Sequence, residues 1–234
     1  MTIPGRAAAD ATGVARAIRT PRSAALAGVV FSLLFATSLI MLRVAVPADP
    51  SDAGQWLADG PRRTAALAAL ALVPFEGLAF LWFIGVVRDR IGDAEDRFFA
   101  TVFLGTGLLF VAMLFVAGAV AASLIASAEN IGDSLFTSGT WEVGRRTTYE
   151  LIDVYAMRMA GVFTIVTSTI LLRTGLGPRW LLVSGYTVGV VLLVASGAVP
   201  WIELAFPAWV LALSLHVLAV GFRRDRIGET AGGA

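Results

Sequence analysis

The sequence has no cysteine, no lysine and a single histidine, His216. Without cysteine there is no disulfide framework, no thiol nucleophile and no cysteine-held zinc. Without lysine there is no Schiff base, pyridoxal-phosphate anchor or P-loop lysine. All 18 basic residues are arginine. One histidine cannot supply a two-histidine metal or haem site, so no cofactor and no metal is expected. Charge is scarce as well: 15% of the 234 residues are charged, against about 25% in a soluble domain. Gly-x-Ser-x-Gly, His-Glu-x-x-His and the Gly-rich phosphate loop are all missing, and no nucleophile–base pair stands out. No catalytic residue is therefore expected, and an enzyme is the weaker reading. The net charge of +1 says nothing about partners, and no nucleic-acid partner is expected.

What is present is apolar sequence, 57% of the chain. A helix crossing a bilayer needs about 20 mostly apolar residues. Six stretches qualify, at about 24–46, 65–87, 98–125, 154–172, 180–199 and 204–222. They lack the alternation of barrel strands and are too long for them. The fold class read from this is an all-α, polytopic membrane helix bundle with six transmembrane helices. Residues 1–23 and 223–234 read as tails, and 24–222 as the transmembrane domain. The first apolar run is longer than a signal-peptide core and lies more than 20 residues in, so it reads as a retained span. The Arg-only, Ala/Gly/Val-rich composition fits a GC-rich bacterial genome and a cell-membrane location.

An even number of spans puts both tails on one side. Arginine counting gives 12 on that side and 6 on the other, which predicts both termini cytoplasmic. On the outer side, residues 140–153 are expected to form an amphipathic helical segment running into span four or lying on the surface. There Glu142, Arg146 and Glu150 follow i,i+4 spacing and support a charge-paired helix. Trp56, Trp141, Trp180, Trp201 and Trp209 read as an interfacial belt, and Trp82 as a packing residue.

One pentapeptide occurs twice: Arg88-Asp-Arg-Ile-Gly92 and Arg224-Asp-Arg-Ile-Gly228, after spans two and six. Arginine in a last helical turn complements the dipole and anchors at headgroups. Arg88, Arg90, Arg224 and Arg226 are thus a cytoplasmic anchor, with an anionic-lipid site as the sharper reading. The carboxylates Asp89, Asp93 and Asp96 read as local salt bridging and capping rather than as a cation site.

Polar residues within the spans are where function would concentrate. Glu76 lies eleven residues past Ala65, about 16 Å along the axis, near mid-membrane. Pro74 beside it removes a backbone hydrogen bond and is expected to kink span two. Glu76 reads as a proton- or cation-handling site, as half of a buried ion pair, or as a neutral hydrogen-bonded group. Arg43 and Arg158 are its candidate partners, with Arg158 favoured, and His216 is a candidate proton relay. Thr164, Thr167 and Ser168 form a hydroxyl stripe on span four. Gly185 and Gly189 form a small-residue packing motif for contacts within one chain or in a homo-oligomer. Glu203 reads as a solvated interfacial carboxylate.

Three functions follow. The first is a small transporter or channel centred on Glu76, for a solute or ion the sequence does not name. The second is a non-transporting scaffold or accessory subunit, with Glu76 in a structural ion pair. The third is a lipid-acting enzyme or sensor using the outer 140–153 segment. The lipid bilayer is the expected partner in all three.

Overall fold

A computed structural model describes residues 21–46, 54–91, 97–137, 139–175, 177–199 and 201–232. The side chains of residues 21–24, 89–91, 97, 133, 137 and 221–232 lie outside that description. The described chain is all helical. Its helices are α1 (Pro21–Ala45), α2 (Gly60–Ile91), α3 (Arg97–Ile131), α4 (Asp133–Thr137), α5 (Thr140–Tyr149), α6 (Met157–Thr174), α7 (Arg179–Ala195) and α8 (Ala205–Gly232). A π-helical segment, Glu150–Ala156, joins α5 to α6 without a break. Single 3-10 turns stand at Gln55–Ala58 and Ile202–Leu204.

Five helical stretches are long and apolar enough to cross a membrane: Ala25–Ala45, Gly60–Arg88, Phe98–Ile131, Thr140–Thr174 and Ile202–Val220. The expected fifth span is shorter than the rest. Helix α7 has 17 residues, about 25 Å at 1.5 Å per residue. Gly197, with φ of +78°, turns the chain just beyond it. The 140–153 segment is part of the long Thr140–Thr174 stretch rather than a separate surface helix. Helix α2 runs without interruption through Pro74.

Helix α1 packs against α2 and α8, α6 against α7, and α3 against α2, α6 and the α5–π stretch. In lipid the apolar effect does not drive helices together, so close packing must. Two devices supply it. The first is a phenylalanine core. Phe31, Phe35, Phe80, Phe83, Phe103, Phe110, Phe163 and Phe206 are all fully buried and come from five different helices. Phe80 lies 4.6 Å from Phe31, 5.1 Å from Phe110 and 5.1 Å from Phe163 between ring centroids. Tilted and edge-on pairs of this kind contribute about 0.5–1.5 kcal/mol each beyond area.

The second device is small residues. A Cβ on Gly189 would stand 2.8 Å from the Gly161 carbonyl oxygen, and one on Gly161 would stand 2.8 Å from that of Gly189. The backbones of α6 and α7 therefore touch. Gly185 faces Ser168 and Trp209, and Gly28 faces Ser214 and Phe83. These small-residue faces are filled within the chain. The hydroxyl stripe is buried too, each hydroxyl donating to its own helix: Thr164 to the Ala160 carbonyl, Thr167 to Phe163 and Ser168 to Thr164.

The tryptophans depart from the expected belt. Trp180 and Trp201 are exposed, but Trp56, Trp141 and Trp209 are buried. Trp82, read as packing, is 52% exposed on the bundle's outer surface. A single tryptophan within an apolar helix carries no local mark of which way it faces, so neighbours in space decide.

A second apolar cluster caps one end of the bundle. Ala45, Trp56, Ala66, Ile125, Leu135 and Trp141 form it. The end of α1, the Gln55–Ala58 turn, the start of α2, the end of α3, α4 and the start of α5 meet there. The start of α1 and the end of α8 lie at the opposite end, as the pairing of Gly28 with Ser214 and Phe83 requires.

Candidate functional site

Glu76 is 1% exposed. It lies on the face of α2 turned towards α1 and α3, four residues before Phe80. The Ser38 hydroxyl of α1 lies beside its carboxyl group at the same cavity, and Ser38 donates to the Phe35 carbonyl at 3.1 Å. The carboxyl oxygen Oε1 has no hydrogen-bond partner. No cation among the described residues pairs with it. A buried, uncompensated carboxylate costs several kcal/mol, so this position is a demanding one.

Beside Glu76 lies a cavity of about 50 Å³. Its wall is apolar except for Ser38, Glu76 and Thr148. A space of this size has room for water. Next to it, at the capped end, is a second cavity of about 100 Å³. Leu39, Leu42, Leu70, Ala121, Thr148 and Ile152 line both, so the central and end cavities share a wall from four helices and the π segment. Pro74 has no N–H to give the Leu70 carbonyl, which weakens backbone bonding along this wall. In the other direction Phe80 and Phe35 join Phe31, Phe110 and Phe206 in the aromatic core, which closes the bundle beyond Glu76.

The end cavity is built differently. Trp141, Arg145, Thr148, Tyr149 and Ile152 follow helical spacing and present one face of α5 and the π segment to it. Trp141 is 5% exposed and its ring lies edge-on to Phe136 at 5.1 Å. Its Nε1 has no hydrogen-bond partner, and neither has Arg145 Nε. The opposite face carries the expected charge pairing: Glu142 accepts from Arg146 and, at 3.1 Å, from Arg145. Glu150 is exposed, outside that pairing.

Arg43 and Asp153 also line the end cavity. Arg43 does not pair with Glu76. Its Nη2 lies 3.1 Å from Glu203 Oε1 and 3.8 Å from Asp153 Oδ1. Glu203, read as solvated, is 2% exposed. The correction has a clear cause: the partner is 160 residues away in sequence, beyond any local pattern. Trp201, just before Glu203, holds φ of +69°, a conformation unfavourable for a bulky residue. The turn at Ile202–Leu204 follows from it and aims Glu203 inward.

The remaining predicted residues are dispersed. Arg158 is exposed on α6 and makes no ion pair among the described residues. It stands near the middle of the continuous Thr140–Thr174 stretch. His216 is half-buried on α8 and lines neither cavity. Thus Arg158, Arg43 and His216 are not gathered around Glu76. Gly185 and Gly189 serve packing. Arg88 is exposed beside a shallow groove along α3. The side chains of Arg90, Arg224 and Arg226 lie outside the described residues, as do Asp89, Asp93 and Asp96. Among the described residues no three His, Asp or Glu side chains gather as a metal site.

Sequence reasoning missed Trp141, Arg145 and Tyr149 as cavity-lining residues. Their i, i+4, i+8 spacing was the available signal. It was overshadowed by the charge-paired face of the same helix. Comparison with protein-family models, curated proteins and solved structures finds no match.

Proposed function

We propose that this chain is a small membrane transporter or channel in which Glu76 binds and releases a proton. One observation carries the reading. Glu76 is buried at mid-helix with no cationic partner among the described residues, beside a cavity that shares a wall with a larger one at the bundle end. A carboxyl group without a counter-charge is best accommodated with its proton on. Ser38 supplies the switch. Its hydroxyl has one proton. With that proton on the Phe35 carbonyl, Ser38 accepts from protonated Glu76. When Glu76 loses its proton, Ser38 turns to donate to the carboxylate and releases Phe35. A proton event is thereby coupled to α1 at the edge of the aromatic core.

The arginine bias supports an orientation with the end cavity outside and both tails cytoplasmic. The outer cavity then leads inward to Glu76, and the phenylalanine core is the inner barrier. The scaffold reading loses its main support, because neither Arg43 nor Arg158 pairs with Glu76. The lipid-acting reading needs a groove lined by Arg146, Glu150 and Asp153, and of these only Asp153 lines the end cavity.

The test is proton uptake into proteoliposomes under an imposed potential. The wild-type chain should conduct protons, and Glu76→Gln should lose at least about tenfold of that flux while folding normally. Equal flux in the two would reject the reading.

A further inference from the structure

Two buried donors at the end cavity have no role in the proton path. Trp141 Nε1 and Arg145 Nε both lack a hydrogen-bond partner among the described residues. Each lost hydrogen bond at a buried site is destabilising, and such orphans in a native chain call for an explanation. Both groups offer N–H and neither can accept. What they fit is therefore an acceptor oxygen, and beside a guanidinium an anionic one is favoured. The rest of the wall is apolar: Leu39, Leu42, Leu70, Ala121, Leu124 and Ile125. A few convergent donors on an apolar cavity are the usual composition of a small-molecule site.

The size of the cavity narrows the class. At about 100 Å³ it is smaller than the roughly 300–1,000 Å³ typical of drug-sized ligands. That volume takes the carboxyl end of one slender chain rather than two chains, with the remainder of the chain lying along the apolar wall. Arg43 is shared between Glu203 and Asp153, and Arg145 Nη2 already donates to Glu142 at 3.1 Å. Trp141 Nε1 and Arg145 Nε are the donors left without an acceptor among the described residues. The π segment that sets this face is a second observation. π turns are rare and concentrate at functional sites, and this one begins directly after Tyr149.

We propose that the end cavity binds a single-chain amphipathic carboxylic acid. Its carboxylate accepts from Trp141 Nε1 and Arg145 Nε, and its chain lies along the apolar wall. As a substrate site, though not as a binding site, this rests on the transport reading above.

The test is binding of decanoate to the full chain in nanodiscs of phosphatidylcholine, read by isothermal titration with no ion gradient. Wild type should bind saturably, and decanol, with the same chain and no carboxylate, at least about tenfold more weakly. Trp141→Phe keeps the ring and removes the N–H, and should weaken decanoate about tenfold. Arg145→Gln should weaken it at least as much. Should Arg145→Gln not fold, Trp141→Phe and the decanol comparison carry the test. Absence of saturable binding, or equal affinity in Trp141→Phe and wild type, would overturn the proposal. Loss of decanoate binding when phosphatidylglycerol replaces phosphatidylcholine would assign the donors to a lipid headgroup and overturn it too. Since no flux is measured, a failed proton assay leaves this result standing, and the reverse holds.

Discussion

At the scale of single residues, Arg43 is the charge on which the cavity end depends. It faces two carboxylates, Asp153 and Glu203, on two other elements. Removing one member of a buried pair leaves the other charge uncompensated, at about 3–5 kcal/mol in a dry site. Arg43 is partly exposed, so Arg43→Met should destabilise by about 2–4 kcal/mol. Glu203→Gln should cost less, and the double variant less than the sum of the singles. Unfolding in mixed micelles with increasing denaturing detergent measures all three; strict additivity would reject the coupling. Glu76 was legible as the residue of interest from its depth alone. Its surroundings were not. An apolar helix interior does not encode which neighbour arrives, and of the candidates left open neither Arg43 nor Arg158 reaches Glu76, while Ser38 stands beside it.

At the scale of elements, the contact between α6 and α7 is the tightest constraint. The Gly161 and Gly189 backbones meet there with no room for a Cβ. Gly189→Ala should therefore push the two helices apart and cost about 1–3 kcal/mol, despite the better helix propensity of alanine. Gly105→Ala meets open space and should be neutral or slightly stabilising. A shared detergent-unfolding assay checks the pair, and equal behaviour would refute the close-contact account. The Gly185–Gly189 motif was visible in the sequence because the spacing of small residues is itself the signal. Its partner Gly161 was not, since the motif is silent about which helix it meets. The same contrast holds for α5. Its charge-paired face was read from i,i+4 spacing, whereas the π segment has no sequence signature and sets which face meets the cavity.

At the scale of the whole molecule, helix number and all-helical character came directly from the length of the apolar runs. Bilayer thickness imposes that length on the chain. The short α7 is the departure, because Gly197 ends it early. The internal architecture was not legible. Eight phenylalanines from five helices converge on one core, and nothing local distinguishes them from Phe75 and Phe98, which are exposed. The arrangement divides the bundle into a cavity end and a closed end, with Glu76 at the boundary. On the proposed function, a proton would reach Glu76 from one side alone.

The natural absence of cysteine makes that consequence directly measurable. In Glu76→Cys the only thiol stands at the boundary, and silver ion is a thiol reagent small enough for a water path. Added outside intact cells, it should modify Cys at this position, and Thr148→Trp, which fills the wall shared by both cavities, should slow the reaction at least about tenfold. Added to inverted vesicles, it should react far more slowly, because the aromatic core intervenes. Modification from neither side, or faster modification from the inner side, would contradict the account.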